Sequence, residues 1–337
     1  MFFVTNVTIF DFSLLLIIDR NDRLIEKNSM PDTLNITNIG FQRTLKSEVF
    51  CEGIGLHSGK KTSIKIMPAE VNTGITFIRQ DLPENQEVKA IYENVCDTKL
   101  GTTISNKASH KVQTIEHLMA AFMGLKIDNA QVLLSGSEIP IMDGSSRVFI
   151  DLINTVGTKE QFTKKRVIKV LKEVSLFQNN SSIVATPSDN FTIDYHIDFD
   201  DTAIGIQNKK VTLMGNNFDK EIGSARTFGM LSEVKNMHKN GLALGGSINN
   251  AIVVDDGKIL NAGGLRFEDE FVRHKILDFC GDIYLSGFHM LGNIVAKCAG
   301  HDINNKFLWE LFSDDSNYQI IEENSISSIE EINFAVA

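Results

Sequence analysis

The two halves of this 337-residue sequence carry the same texture in the same order, which points to a fold with two related parts. Each half opens with short alternating segments that read as half-buried strands. In the first half these include Thr62-Ser63-Ile64-Lys65-Ile66 and Gly74-Ile75-Thr76-Phe77-Ile78; in the second they are residues 167–176, 182–186 and 191–199. A helix with a histidine on its polar side follows, at 113–125 (His117) and at about 267–286 (His274). An apolar strand (130–134 and 293–298), a polar loop and a closing helix (147–156 and 306–312) complete each half. An internal duplication is the economical explanation. It predicts an α+β architecture of two similar domains whose His-bearing helices face one cleft. Length agrees, because 337 residues exceed what one hydrophobic core usually serves. The expected boundaries are an N-terminal extension at 1–40, mobile; domain 1 at 41–163; domain 2 at 164–312, after a polar and basic junction; and an acidic, serine-rich tail at 313–337.

Charge and cysteine content remove several function classes. A net charge of −10 and a pI near 5.3 leave no basic excess to neutralise phosphates, so a nucleic-acid partner is not expected. Cys51, Cys96, Cys280 and Cys298 show no C-x-x-C spacing, which fits free thiols in a reducing cytoplasm. The first eighteen residues are rich in Phe, Ile and Leu, but Asp11 interrupts them and only Leu14 to Ile18 is continuously apolar. That run is too short to span a bilayer and has neither the basic flank nor the cleavage site of a signal peptide. Residues 1–29 therefore read as an extension, or translation begins at Met30.

Chemistry concentrates in the second His-bearing helix. At about 100° per residue, Arg273 to Asp282 places His274, Asp278 and Asp282 in one sector, with Val272, Ile276, Phe279 and Ile283 opposite. The polar sector faces either water, as charged i,i+4 positions on helices often do, or a site. The rest of the chain offers partners in Glu116-His117 and His301. His117, His274 and Asp278 satisfy the three-ligand count of a catalytic zinc. Glu116, one residue from a ligand, points about 100° away and suits proton transfer from water better than metal binding. His301 is then a candidate acid, with Asp282 orienting its ring. Each residue also has a structural reading: His117 sits among Leu118, Met119 and Phe122 and could be a core histidine, and Glu116 could merely favour a helix N-terminus. Spacing leaves both readings open.

Five segments in register carry a resemblance that bears on the choice. They are Thr114-Ile115-Glu116-His117-Leu118-Met119-Ala120-Ala121, Glu138-Ile139-Pro140-Ile141-Met142-Asp143-Gly144-Ser145, Ser224-Ala225-Arg226-Thr227-Phe228-Gly229, residues 266–275 (RFEDEFVRHK), and Gly300-His301-Asp302-Ile303-Asn304-Asn305-Lys306. In order from about Phe41 to Phe312, the chain closely resembles the UDP-3-O-acyl-N-acetylglucosamine deacetylases, the zinc amidases of lipid A biosynthesis in Gram-negative bacteria. The resemblance implies a β-α-α-β sandwich in each domain, with the active site at the domain interface. It implies that Zn2+ is bound by His117, His274 and Asp278, with Glu116 as base. His301 would be the acid backed by Asp282, and Thr227 would help hold the oxyanion. Phe228 and Lys275 would contact the glucosamine and phosphate parts of the substrate, and His57, in the glycine-rich turn 53–59, would lie at the same mouth. It further implies an acyl-chain passage built from an insert at 229–254, lined by Leu231, Val234, Ala243, Ile248 and Ala251. A cytoplasmic monomer acting on UDP-3-O-acyl-N-acetylglucosamine is the expectation; the alternative is a non-catalytic sugar-nucleotide or acyl-chain binding protein on the same scaffold. The chain departs from its relatives at Lys297-Cys298-Ala299-Gly300-His301, where the basic residue sits one place early and, on a strand, points to the opposite face. Lys164 and Lys165 at the junction are candidates to compensate.

Overall fold

Alternation of buried and outward side chains shapes several of the strands, as in Lys61–Pro68 and His289–Lys297. The computed structural model describes residues 40–84, 86–199 and 203–322; the expected extension at 1–39 and the last part of the tail, 323–337, lie outside the described residues. The first half runs β1 (Phe41–Leu45), β2 (Val49–Ile54), β3 (Lys61–Pro68), β4 (Ile75–Arg79), β5 (Glu87–Lys89), β6 (Val95–Asp97), β7 (Thr103–Ser105), β8 (Lys111–Val112), α1 (Glu116–Gly124), β9 (Ala130–Leu134) and α2 (Arg147–Val156). A five-stranded sheet has the order β2-β3-β9-β4-β5, with β4 parallel to β9 and the other pairs antiparallel. Strands β6 to β8 form a small separate sheet, and the β6–β7 connection, residues 98–102, reaches the start of α1.

The polar stretch after α2 is not a linker. Its residues form β10 (Thr158–Lys164), which pairs antiparallel with β1, so the boundary expected at 163/164 falls inside this strand, just before β11 (Arg166–Val170). There follow β12 (Val174–Gln178), β13 (Ser181–Thr186), β14 (Phe191–Phe199), β15 (Gly205–Thr212), β16 (Phe228–Met230), α3 (Leu231–Lys239), β17 (Ile252–Asp255), β18 (Lys258–Ile259), α4 (Glu270–Ile283), β19 (His289–Lys297), α5 (His301–Leu311) and β20 (Tyr318–Glu322). A seven-stranded sheet is centred on β19, which pairs parallel with β11 through its first residues, parallel with β14 through the rest, and antiparallel with β13. The tail expected from residue 313 is corrected here: Tyr318–Glu322 pairs antiparallel with β11 across Arg166↔Glu322 to Val170↔Tyr318. Strands β16, β17 and β18 make a small sheet that carries α3; the expected insert at 229–254 covers α3 and most of β16 and β17, and β18 lies past its end.

Helices from the two halves meet face to face. Every residue of α1 from Glu116 to Met123 is buried, and α4 buries all but Arg273 and Lys275. They pack on one another closely enough that a Cβ at Gly281 would lie 2.1 Å from the Glu116 carbonyl oxygen, so only glycine fits there. Helix α2 packs on α1 and α5 packs on α4, and one continuous cluster of buried apolar side chains runs through both halves. No helix among the described residues is long and apolar enough to cross a membrane.

Candidate active site

The polar sector of α4 faces a site, because its three members are buried: His274, Asp278 and Asp282 are 2%, 3% and 2% exposed. His274 and Asp278, one turn apart, are met across the helix contact by His117 from α1. Ligand atoms of the three lie within 4.8 Å of one another. Burial pushes the His274 imidazole down to about 3, so it is neutral. Its Nδ1–H donates to the Ala225 carbonyl at 3.0 Å, which leaves the Nε2 lone pair directed at Asp278 Oδ1, 3.2 Å away. His117 Nε2 lies 3.5 Å from the same oxygen. That oxygen and His117 Nδ1 are buried without a hydrogen-bond partner among the described residues. Burial works to raise the Asp278 carboxyl, but positive charge beside it, the Lys275 ammonium above all, outweighs burial and holds it well below the usual range. A neutral imidazole lone pair facing a carboxylate oxygen in the interior is unfavourable alone and is resolved by a cation between them. The donor set therefore fits a small divalent metal, and two imidazoles with one carboxylate suit zinc.

Glu116 and His301 flank this group. Glu116 opens α1, and its Oε2 accepts the Thr102 backbone N–H at 2.9 Å. Burial raises its pKa, and the charges of His301 and His117 only partly offset this. His301 is the first residue of α5, which begins five residues before the expected 306. The stretch read as a polar loop is thus a helical turn. His301 Nδ1–H donates to Asp282 Oδ2 at 2.8 Å, so Nε2 is left for the cleft. Burial alone would lower the His301 pKa; Asp282, with further help from Asp278 and Glu116, reverses that and lifts it to about 9. At neutral pH His301 is an imidazolium able to give a proton. Asp282 also accepts the Thr102 hydroxyl at 2.5 Å and the Asn304 amide at 2.8 Å.

A cleft of about 430 Å³ contains Glu116, His117, His274, Asp278 and His301, together with Thr227, Phe228 and Lys275. Beyond Phe228 lies a second, more apolar cavity of about 300 Å³. Leu56, Leu100, Thr227 and Phe228 line both. All five residues expected in an acyl passage, Leu231, Val234, Ala243, Ile248 and Ala251, line the second cavity. Helix α3 contributes no buried residue, so its Leu231, Val234 and Met237 face this cavity rather than the core.

Residues 42–313 match the family model LpxC, described as UDP-3-O-acyl N-acetylglycosamine deacetylase. The chain belongs to this family. Membership makes it a deacetylase of lipid A biosynthesis acting on an acylated, UDP-linked amino sugar.

Within the deacetylase, some expected residues stand differently from the sequence picture. His57 lines the apolar cavity but not the polar cleft, and both its nitrogens are engaged, Nε2 with the Leu100 carbonyl at 3.1 Å and Nδ1 with the Ala243 N–H at 3.3 Å. Lys275 reaches the cleft with its ammonium 2.5 Å from Asp278 Oδ2. Lys297 is exposed and outside the cleft, whereas Cys298 lines it with a left-handed φ of 45°. Neither junction lysine compensates: Lys165 is buried against Asp128 Oδ2 at 2.9 Å, and Lys164 lies over the Phe41 ring. Sequence reasoning missed Thr102, Asn304 and Leu100. Asn304 was within a quoted motif and could have been found there; Thr102 and Leu100 stand in a loop with no spacing signal.

Proposed function

We propose that this deacetylase removes acetate from the 2-acetamido group of UDP-3-O-acyl-N-acetylglucosamine in a zinc-dependent hydrolysis, as a cytoplasmic monomer. The observation that carries the reading is the convergence of the buried ligand atoms of His117, His274 and Asp278 within 4.8 Å, with Glu116 on one side and His301, held by Asp282, on the other. His117, His274 and Asp278 would hold the zinc, which when bound supplies Lewis-acid polarisation of the amide carbonyl and acidifies water.

The chain's own groups do the rest. The Glu116 carboxylate takes a proton from the attacking water, a task suited to its upward-shifted pKa. The oxygen of that water bonds to the amide carbon, and the negative charge that develops on the carbonyl oxygen meets the Thr227 hydroxyl. His301 Nε2–H gives its proton to the amide nitrogen as the C–N bond breaks, so the products are acetate and the free amine. Phe228 separates the reacting polar end from the 3-O-acyl chain, which the apolar cavity receives. The duplicated halves at 41–163 and 164–312 are part of this reading, since each delivers a His-bearing helix to the cleft. A binding protein without catalysis would need neither Glu116 nor His301 in these states.

The test is metal content and amide hydrolysis for the parent and for Glu116→Ala. The variant is expected to keep its zinc and lose activity by about 10²-fold or more. Purified parent that holds no zinc and hydrolyses no amide after zinc is added would overturn the proposal, and full activity in Glu116→Ala would remove Glu116 as base.

A further inference from the structure

We propose that Thr102 is a positioning residue that ties the base on α1 to the acid on α5. This rests on the roles given above to Glu116 and His301. The two reacting groups come from different halves of the chain, on helices that do not share a turn. Thr102 belongs to neither helix; it ends the β6–β7 connection and is buried at 2% exposure. Each of its polar atoms is committed. The backbone N–H donates to Glu116 Oε2 at 2.9 Å, the hydroxyl donates to Asp282 Oδ1 at 2.5 Å, and the carbonyl accepts from the Ile115 N–H at 3.3 Å. The other Asp282 oxygen holds His301 Nδ1 at 2.8 Å. One residue therefore joins the base carboxylate and the orienting carboxylate of the acid, and three hydrogen bonds in series span the site.

The link matters because proton transfer at both ends needs heavy atoms within hydrogen-bond reach of one substrate. A β-branched side chain with restricted χ1 keeps the hydroxyl aimed at Asp282. The loop is itself anchored upstream, where the Leu100 carbonyl meets His57 Nε2. Bonds that orient a group touching the reaction cost on the order of 10–100-fold when removed.

Thr102→Val keeps the shape and the backbone donor while deleting the hydroxyl, so it isolates the bond to Asp282. In the zinc-loaded enzyme, kcat is expected to fall on the order of 10–100-fold with KM within about threefold and zinc content unchanged. Thr102→Ser is expected to recover most of the loss. In an Asp282→Ala background, where the hydroxyl has lost its acceptor, Thr102→Val is expected to add little, whereas a merely structural role would give additive losses. In parallel, the His301 Nδ1–H resonance, followed by NMR in the same protein, is expected to move in Thr102→Val and to return in Thr102→Ser. An unmoved resonance overturns the inference, as does parent-like kcat or additivity in an active enzyme. If the parent itself proves inactive, the proposed function fails while the resonance still decides the link through Thr102.

Discussion

His301 is held between opposing influences, and the balance is measurable. Burial favours its neutral form; Asp282 at 2.8 Å overcomes this and sets the pKa at about 9. The folded value exceeds the ordinary 6.5, so the pair stabilises the fold fully below about pH 6.5 and loses that contribution as pH rises through about 9. In its proposed role as donor of the final proton, His301 should impose the same limit on turnover. A plot of kcat/KM against pH is expected to fall on the alkaline side near 9, and Asp282→Asn should move that limb to lower pH by removing the negative neighbour. An alkaline limb that stays in place would detach His301 from the rate. Much at this scale was legible beforehand, since i,i+4 spacing alone put His274, Asp278 and Asp282 on one face. Thr102 was not, because its role depends on two partners 14 and 180 positions away in sequence and on no local pattern.

Elements translate those residues into a cleft through one close contact. Gly281 lets α4 approach the first turn of α1, and the atom it nearly touches is the carbonyl of Glu116 itself. Gly281→Ala is expected to cost about 1–3 kcal/mol, since a backbone atom cannot step aside as a flexible side chain can. It should also depress kcat by displacing the base. Thermal denaturation and activity measured together check this, and an unchanged Tm would mean the helices separate without strain. The helix pattern of α2 and the strand Ala130–Leu134 matched the sequence reading because burial there follows a clean period. Helix α5 started earlier than expected because Asp302, Asn304 and Asn305 are poor helix formers that resemble a loop. Burial of Ile303, Phe307, Leu308 and Leu311 overrides that preference, and the Asn304 amide N–H donates to Asp282 Oδ2. Strand β20 escaped notice for a related reason: its Tyr318-Gln319-Ile320-Ile321-Glu322 is mostly outward-facing, and only the open edge of β11 gives it a partner.

For the molecule as a whole, a polar chamber and an apolar one stand side by side. The polar cleft lies between α1, α4 and α5, while the apolar cavity is walled by α3 and the small β16–β18 sheet, with Thr227 and Phe228 shared. Ala251→Phe should fill the cavity and leave the cleft intact. For long 3-O-acyl substrates kcat/KM is expected to drop about 10–100-fold, with short-chain substrates little affected. Equal losses for both would place the acyl chain elsewhere. The appended wall was legible in the sequence only through the family resemblance, because half-exposed apolar residues of an insert carry no core periodicity.

Strand β19 gives the frame its last property. It pairs with β11 through its first residues and lies between β13 and β14 over Asn293–Lys297, and three residues separate its end from His301. A strand paired on both sides opens only when most of the sheet opens. His301 is thus tethered to a doubly paired part of the sheet, so its position resists small fluctuations in the surrounding loops.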